Sequence, residues 1–393
     1  MSNCSDLVIG IDATNLRRGG GVTHLVELLR ATEPSIHYIG KIVVWGGRET
    51  LAALEDRSWL EKVNPRELDQ VLIKRTFWQL RKLSSAVGKA GCDLLFVPGG
   101  SYSGGFKPVV TMSQNLLPFD RQEIRSYGWS LTFFRLKLLR WVQSRSFRHA
   151  NGVVFLTEHA KSCVLGVTGE ITGNTTIVPH GLSPRFQSAP KDQRQISSYT
   201  IANPYRLLYV STIDHYKQQC CVVEAVAELR RQGYPLILDL VGSAYAPALA
   251  RLKETQARLD PTGEWACYHG MIPYADLHRK YAQADLGIFA SSCENMPIIL
   301  LENMAAGLPV ACSNRGPMPE MLGDAGVYFD PHQSDDIARA LRELIVSPEL
   351  RTEKAEASFA KAQDFSWERC ASDTFAFLAE VAHQHRDLSC VAL

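Results

Sequence analysis

Two carboxylates flank and interrupt an apolar run in SSCENMPIILLENMAAGLP, residues 291–309. Glu294 stands before the run, and Glu302, eight positions on, stands inside it. A glutamate among isoleucine, leucine and methionine is costly to bury unless it is paired or hydrogen-bonded. The preceding DLGIFASS reads as a strand that ends in a small-residue turn. Asn295 is then expected as a helix N-cap and Pro297 as the first helical residue; Gly307 closes the helix and Pro309 cannot extend it. Glu294 falls on the strand-to-helix loop, and Glu302 falls about one and a half turns into the helix. Two readings are open here. Either Glu302 points outward from an amphipathic helix beside a solvated Glu294, or both accept hydrogen bonds from the hydroxyls of one polyhydroxy ligand. In the second case the loop amides and the helix N-terminus suit an anionic group on that ligand.

Other residue types point the same way. Lys217 in YVSTIDHYKQQ sits where a helix begins, and a cation there opposes the helix dipole unless an anion faces it. A surface lysine is the plainer alternative. Ser211 and Thr212 stand just upstream as hydroxyl donors. Gly20 and Gly21, in RRGGG after the first strand, let backbone approach a ligand closely, although such a run also serves as a flexible turn. Ser113, Gln114 and Asn115 in TMSQNLLPFD offer no strong base near neutral pH; they suit either orientation of a substrate or turn chemistry before Pro118. His180 in VPHGL reads equally as a ligand contact or a hinge residue. His383 and His385 resemble a metal pair, but they lie in a polar tail without carboxylate partners, so no metal or cofactor is expected.

Composition bounds the rest. At 393 residues the chain is expected to form two domains, and 46% hydrophobic with 21% charged residues suits a soluble globular protein. No run of about 18 uncharged apolar residues predicts a spanning helix, and MSNCSDLVIGID lacks the shape of a signal peptide. The ten cysteines form no C-x-x-C pair, which predicts reduced thiols and a cytoplasmic location. The net charge of +1 hides a front half, residues 1–180, at +7 and a remainder at −6. Residues 121–148 hold seven basic residues, one acidic residue, and Trp129, Phe133, Phe134 and Trp141 interleaved among them. That mixture suits peripheral contact with an anionic membrane at its inner face. A core-packed helix with a basic outer face is the alternative. The mixture also suits single-stranded nucleic acid, but no RNA-binding motif accompanies it and no nucleic-acid partner is expected.

The elements that must hold these residues alternate. LVIGIDATNL, KIVVWGG, CDLLFVPGG, KPVVTMSQ, NGVVFLT and TTIVPHG are short apolar runs with helical stretches between several of them. Polar 187–204 breaks the rhythm. It then restarts with YRLLYVSTID, PLILDLVGS, WACYHGMI, DLGIFASS, LPVACSN and GVYFDP. The alternation predicts α/β architecture: two doubly wound Rossmann-like domains of parallel strands with a ligand cleft between them. The expected boundaries are 1–186 for the first domain, 187–204 for a linker and 205–371 for the second domain. A last helix, about 372–393, is expected to pack back on the first domain.

Five ordered blocks resemble the retaining glycosyltransferases of family 4, which have the GT-B fold. They are DATNLRRGGGVTHLVELL, HANGVVFLTEHAK, IVPHGLSPRF, YHGMIPYADLHRKYAQADLGIFASS and the E-x7-E stretch with its following G-x-P-V. The resemblance implies a nucleotide-diphosphate sugar as donor substrate and a glycan or lipid-linked glycan as acceptor. Glu302 would hold ribose hydroxyls, Glu294 the donor sugar, and Lys217 the leaving diphosphate. Asn295, Met296, Pro297 and Ile298 would offer amides, with Met271, Ile272, Gly20, Gly21 and His180 also lining the donor site. Gln114 and Asn115 stand where many members carry a histidine, and Ser211 and Thr212 replace the family's glycine and arginine. The implied activity is retaining hexosyl transfer, leaning towards mannose from GDP-mannose, in O-antigen, capsule or exopolysaccharide synthesis. A sugar-nucleotide epimerase or hydrolase of the same fold, or a silent binding subunit, stays open.

Overall fold

A computed structural model describes residues 6–17 and 19–391, with side chains described through 387. The ends of the expected domains, residues 1–5 and 392–393, lie outside the described residues. Strands β1 (Leu7–Ala13), β2 (Ile39–Gly46), β3 (Leu60–Val63), β4 (Leu94–Val97), β5 (Val109–Met112), β6 (Gly152–Phe155) and β7 (Asn174–Ile177) form one sheet in the order β3-β2-β1-β4-β5-β6-β7. Strands β8 (Tyr205–Val210), β9 (Leu236–Val241), β10 (Ala266–Tyr268), β11 (Leu286–Phe289), β12 (Val310–Ser313) and β13 (Gly326–Phe329) form a second, ordered β10-β9-β8-β11-β12-β13. The pairings in both sheets are parallel.

The apolar runs explain this. Ile9, Ile11, Leu95, Phe96, Val110, Val153 and Phe155 in the first sheet, and Leu207, Leu238, Leu240, Ile288 and Phe289 in the second, are all fully enclosed. Strands covered by helices on both faces need side chains of this kind at consecutive positions. β3 has no such run. Its LEKV is only partly buried at the sheet edge, which is why periodicity does not announce it.

The chain divides into two compact units. One comprises residues up to 124, 129–181 and 366 onward; the other comprises 125–128 and 182–365. Residues 187–204, expected as a linker, instead belong to the second unit. Polarity ties this stretch down. Lys191 Nζ donates to the carbonyls of Ala282 (2.5 Å) and Ala284 (2.9 Å), and Tyr199 Oη donates to Asp285 (3.2 Å). The fully buried Arg351 donates to Gln193 Oε1 at 2.9 Å, to the Arg194 carbonyl, and to the carbonyls of Leu344 (2.8 Å) and Ile345 (2.6 Å). Polar composition without periodicity marks a linker only when nothing satisfies it, and here side-chain donors do.

The last helix, Trp367–Val391, starts earlier than expected and packs on the helix Gly20–Ala31. Arg386 pairs with Asp93 at 2.6 Å, and Asn174 bonds Gln384 at 2.8 Å. Among the described residues, no helix is long and apolar enough to cross a membrane.

Candidate active site

Strand order reverses between β8 and β11, and in doubly wound sheets the crevice beyond the carboxyl ends of such a pair is where ligands bind. β8 runs into Ser211 and Thr212. A Cβ on Gly242 would lie 2.0 Å from the Ser211 carbonyl oxygen, and its φ is +150°, so only glycine lets the β9 turn pack against this one. Gln219 Nε2 donates to Ser211 Oγ (2.8 Å) and to the Thr212 carbonyl (3.0 Å). Ser211 is therefore enclosed and serves the loop, whereas Thr212 is exposed, with its hydroxyl 3.1 Å from Ser243 Oγ.

The chain then makes a short turn, His215–Lys217, capped by Asp214, whose Oδ1 accepts from the His215 amide at 2.8 Å. The same oxygen accepts from Tyr127 Oη at 2.9 Å; Tyr127 lies in 125–128, the early segment that joins the second unit. Gln218, at φ 53°, breaks the turn before the helix Gln219–Arg231. Lys217 is thus not a surface lysine: its side chain is 8% exposed. Its carbonyl accepts from Tyr209 Oη at 2.7 Å, and its ammonium lies 4.8 Å from the Tyr216 ring centre and 5.8 Å from that of Phe289.

β11 delivers the partner. Ser292 folds back on the turn, its amide 2.8 Å and its hydroxyl 3.0 Å from the Tyr216 carbonyl, and Glu294 follows at 14% side-chain exposure. Lys217 Nζ and Glu294 Oε1 form an ion pair. Burial alone would push the ammonium pKa down; the adjacent carboxylate more than reverses this, so it lies above the ordinary lysine value. A cation and a carboxylate are thereby held together, nearly dry, at the switch point. Removing one partner of such a pair typically costs about 3–5 kcal/mol.

Pro297, not Asn295, caps the helix Ile298–Ala305. Asn295 and Met296 turn inward at 6% and 5% exposure, and Ile298 is half-buried. Gly307 ends this helix in the left-handed region at φ 64°. Glu302 is 1% exposed and accepts from Tyr281 Oη at 2.9 Å. Phe186 packs on Tyr281 and Tyr274 with ring centres 5.7 and 5.3 Å away. Burial raises the Glu302 carboxyl from 4.5 to about 8, against the pull of the Tyr281 and Tyr274 hydroxyls and of Arg185. Glu302 is therefore not on an outward helix face. It is an enclosed acid held by Tyr281 and Tyr274, both from the helix Tyr274–Gln283 in the fourth block. Met271 (77% exposed) and Ile272 follow β10 beside the Gly242 turn, whose amide donates to the Gly270 carbonyl at 2.9 Å.

In the first unit, strand order reverses between β1 and β4. Buried Asp12 accepts there from the Thr14 amide at 3.0 Å and from Gln79 Nε2, and burial raises its pKa. Gln79 also donates to the Ser101 carbonyl (3.1 Å) and accepts from Asn15 (3.3 Å). It opens a π-turn, Gln79–Leu83, a distortion frequent at functional sites. Sequence reasoning missed this cluster, because Gln79 lies 67 residues from Asp12.

Gly20 and Gly21 begin the helix Gly20–Ala31, and a Cβ on Gly21 would come 3.0 Å from Gln114 Oε1, so the glycine run and Gln114 do meet. Asn115 Oδ1 accepts from the Leu117 amide at 3.1 Å, which is turn chemistry. His180 is 6% exposed, with its Nδ1 3.0 Å from Nδ1 of buried His24 and its ring 6.0 Å from Trp367. Burial, with His24 adding to it, holds its pKa well below the ordinary value. His24 is invisible to motif reading.

Residues 191–361 match the family model described as Glycosyl transferases group 1. O-antigen chain mannosyltransferase B of Escherichia coli is 31% identical over 182 residues, 46% of this chain and 47% of that one. The chain thus spans about half the length of the curated relatives it matches. Among solved structures, Anabaena Alr3699/HepE in complex with UDP superposes with a TM-score of 0.68 at 17% identity, covering 95% of this chain and 100% of that one. Sucrose-phosphate synthase from Thermosynechococcus elongatus gives 0.72 at 16% identity, covering 98% and 100%. These likenesses establish the fold as GT-B, with two doubly wound α/β units.

Proposed function

We propose that this protein is a retaining glycosyltransferase that moves a hexosyl group, mannose being the first candidate, from a nucleotide-diphosphate sugar to a glycan or lipid-linked glycan. The observation that carries the reading is the Lys217–Glu294 pair at the β8/β11 switch point, inside the segment that matches the glycosyl transferase model. An arriving donor offers each partner a substitute. Its diphosphate replaces Glu294 beside the Lys217 ammonium, and its sugar hydroxyls replace Lys217 as donors to the Glu294 carboxylate. When the bond from the anomeric carbon to the phosphate oxygen breaks, its electron pair goes to that oxygen, and Lys217 faces the charge that develops. A charge fixed in a dry site at a departing oxyanion is worth on the order of 10²–10³ in rate. The acceptor oxygen then bonds the anomeric carbon from the same face, and its proton passes to the diphosphate.

Other features take supporting places. Glu302 lies near the ribose, Thr212 and the amides after Glu294 serve the phosphates, and the Asp12–Gln79 cluster offers polar groups to acceptor hydroxyls. Support for mannose and for O-antigen, capsule or exopolysaccharide synthesis comes from the Escherichia coli relative's name, and support for a nucleotide donor from the UDP complex. Exposed Trp129 (86%), Leu131 (91%), Leu138 (62%) and Trp141 (63%) among basic residues support work at the inner face of a membrane.

The test incubates purified protein with GDP-mannose and a panel of other nucleotide sugars, with and without a lipid-linked glycan, and follows nucleoside diphosphate release. Release that requires the acceptor, with an α-linkage formed from an α-donor, is the expected result. Turnover without acceptor would transfer the assignment to an epimerase or hydrolase. No binding of any nucleotide or nucleotide sugar in thermal shift would leave a silent subunit, since a ligand at 100 times its Kd stabilises by about 2.7 kcal/mol.

A further inference from the structure

The helix Leu131–His149 carries one exposed stripe: Phe134 (53%), Leu138 (62%) and Trp141 (63%), continued by exposed Arg145 and His149. These positions advance by four or three residues, so they share a face. The apolar part of the stripe thus runs into a cationic part. Arg145 and His149 do not end on open surface. With Lys107, from the loop before β5, they line a cavity of about 150 Å³ whose floor includes Tyr102 and Ser146. Among the described residues, no carboxylate forms an ion pair with Lys107, Arg145 or His149.

The cavity is built. Ser146 is 5% exposed, and its Oγ accepts from the Tyr102 amide at 3.0 Å, which fixes the loop against the helix. Tyr102 Oη in turn accepts from the Phe106 amide at 3.0 Å, one residue from Lys107. His149 Nδ1 donates to the Arg145 carbonyl at 2.8 Å and so sets its ring. The cavity also lies at the amino end of β5, the opposite end of that strand from Gln114 and Asn115. It is separate from the donor and acceptor features described above.

We propose that this cleft binds the phosphate of an anionic phospholipid headgroup while Leu138 and Trp141, on the same helix face, enter the interfacial layer. Two cations from two elements, Lys107 and Arg145, with the His149 ring beside them, suit a phosphate. The adjoining apolar stripe selects a phosphate carried by an amphiphile over one free in solution, because a free anion has no use for exposed tryptophan and leucine. The proposal rests on the membrane part of the function proposed above and adds to it a specific headgroup site.

The test uses the full chain with vesicles of phosphatidylcholine alone or mixed with phosphatidic acid. Lys107→Glu and Arg145→Glu should each lower affinity for the mixed vesicles by about tenfold or more. Lys107 lies outside the basic segment 121–148, and because general surface charge would also weaken with Lys107→Glu, competition by the free headgroup separates the two. Glycerol 3-phosphate should release the wild type from vesicles where sodium chloride of equal ionic strength does not. Wild-type affinity in the Lys107 variant, or release matched by the salt control, overturns the proposal. Protection of the cleft by inorganic phosphate with no change in vesicle binding assigns a free anion and overturns the lipid. Nucleotide affinity, measured by calorimetry, should be equal in all three proteins. If no form binds any nucleotide, the donor reading fails while the vesicle result stands by itself.

Discussion

Glu302→Gln separates a buried acid from a solvated one by its pH dependence. In the folded protein the carboxyl holds its proton until about pH 8, whereas in the unfolded chain it loses it near 4.5. Below 4.5 both states are protonated and the group costs nothing. Between 4.5 and 8 the unfolded state has released a proton that the folded state keeps, so stability falls as pH rises. Above 8 the cost is complete, on the order of 5 kcal/mol for a displacement of this size. Glutamine cannot titrate, and its Oε1 can still accept from Tyr281, so the variant lacks this slope. Scanning calorimetry of both proteins from pH 5 to about 9 reads the difference. The variant should gain on the wild type steadily up to about pH 8 and then run parallel. For a unit of this size each kcal/mol corresponds to roughly 2–4 °C in Tm. A constant offset between the curves reports only how well the amide fits. Parallel curves across the whole range would refute the enclosed acid and return Glu302 to solvent.

Three further outcomes follow from the same contacts. Lys217→Ala should cost about 3–5 kcal/mol of stability, because it strands Glu294; adding Glu294→Gln should restore most of that loss in urea unfolding but not the turnover. If Glu302 accepts ribose hydroxyls as a carboxylate, nucleotide binding at pH 7 should release most of one proton, since the carboxyl holds it up to about pH 8 in the free protein; calorimetry in buffers of different ionisation enthalpy measures this, and Glu302→Gln should abolish it. Arg351→Leu leaves the Leu344, Ile345 and Arg194 carbonyls without their buried donor, so trypsin should cut at Lys191 or Arg194 at least tenfold faster, by the population of the opened stretch. Unchanged cleavage would mean that 187–204 is held by other contacts.

Much of this protein was legible in its sequence, for a local reason. Parallel strands between helices need consecutive apolar residues, so every described strand except LEKV shows as a run, and a pair of doubly wound units follows from their alternation. Glu294 at a strand's carboxyl end and Gly307 after a helix are equally local, since strand ends and helix stops depend on neighbouring residues. What stayed hidden depends on contacts between distant segments. Sequence placed Lys217 at an exposed helix start, but Tyr209, Phe289 and Glu294 enclose it. It offered Glu302 an outward face or a ligand, but Tyr281 and Tyr274 from another helix close over it. It read 187–204 as a linker because the groups that satisfy it are remote in sequence, Arg351 above all, more than 150 residues away. Residue type and spacing set which groups can do chemistry. Burial, and therefore charge state and pairing, is fixed only when the fold brings remote side chains around them.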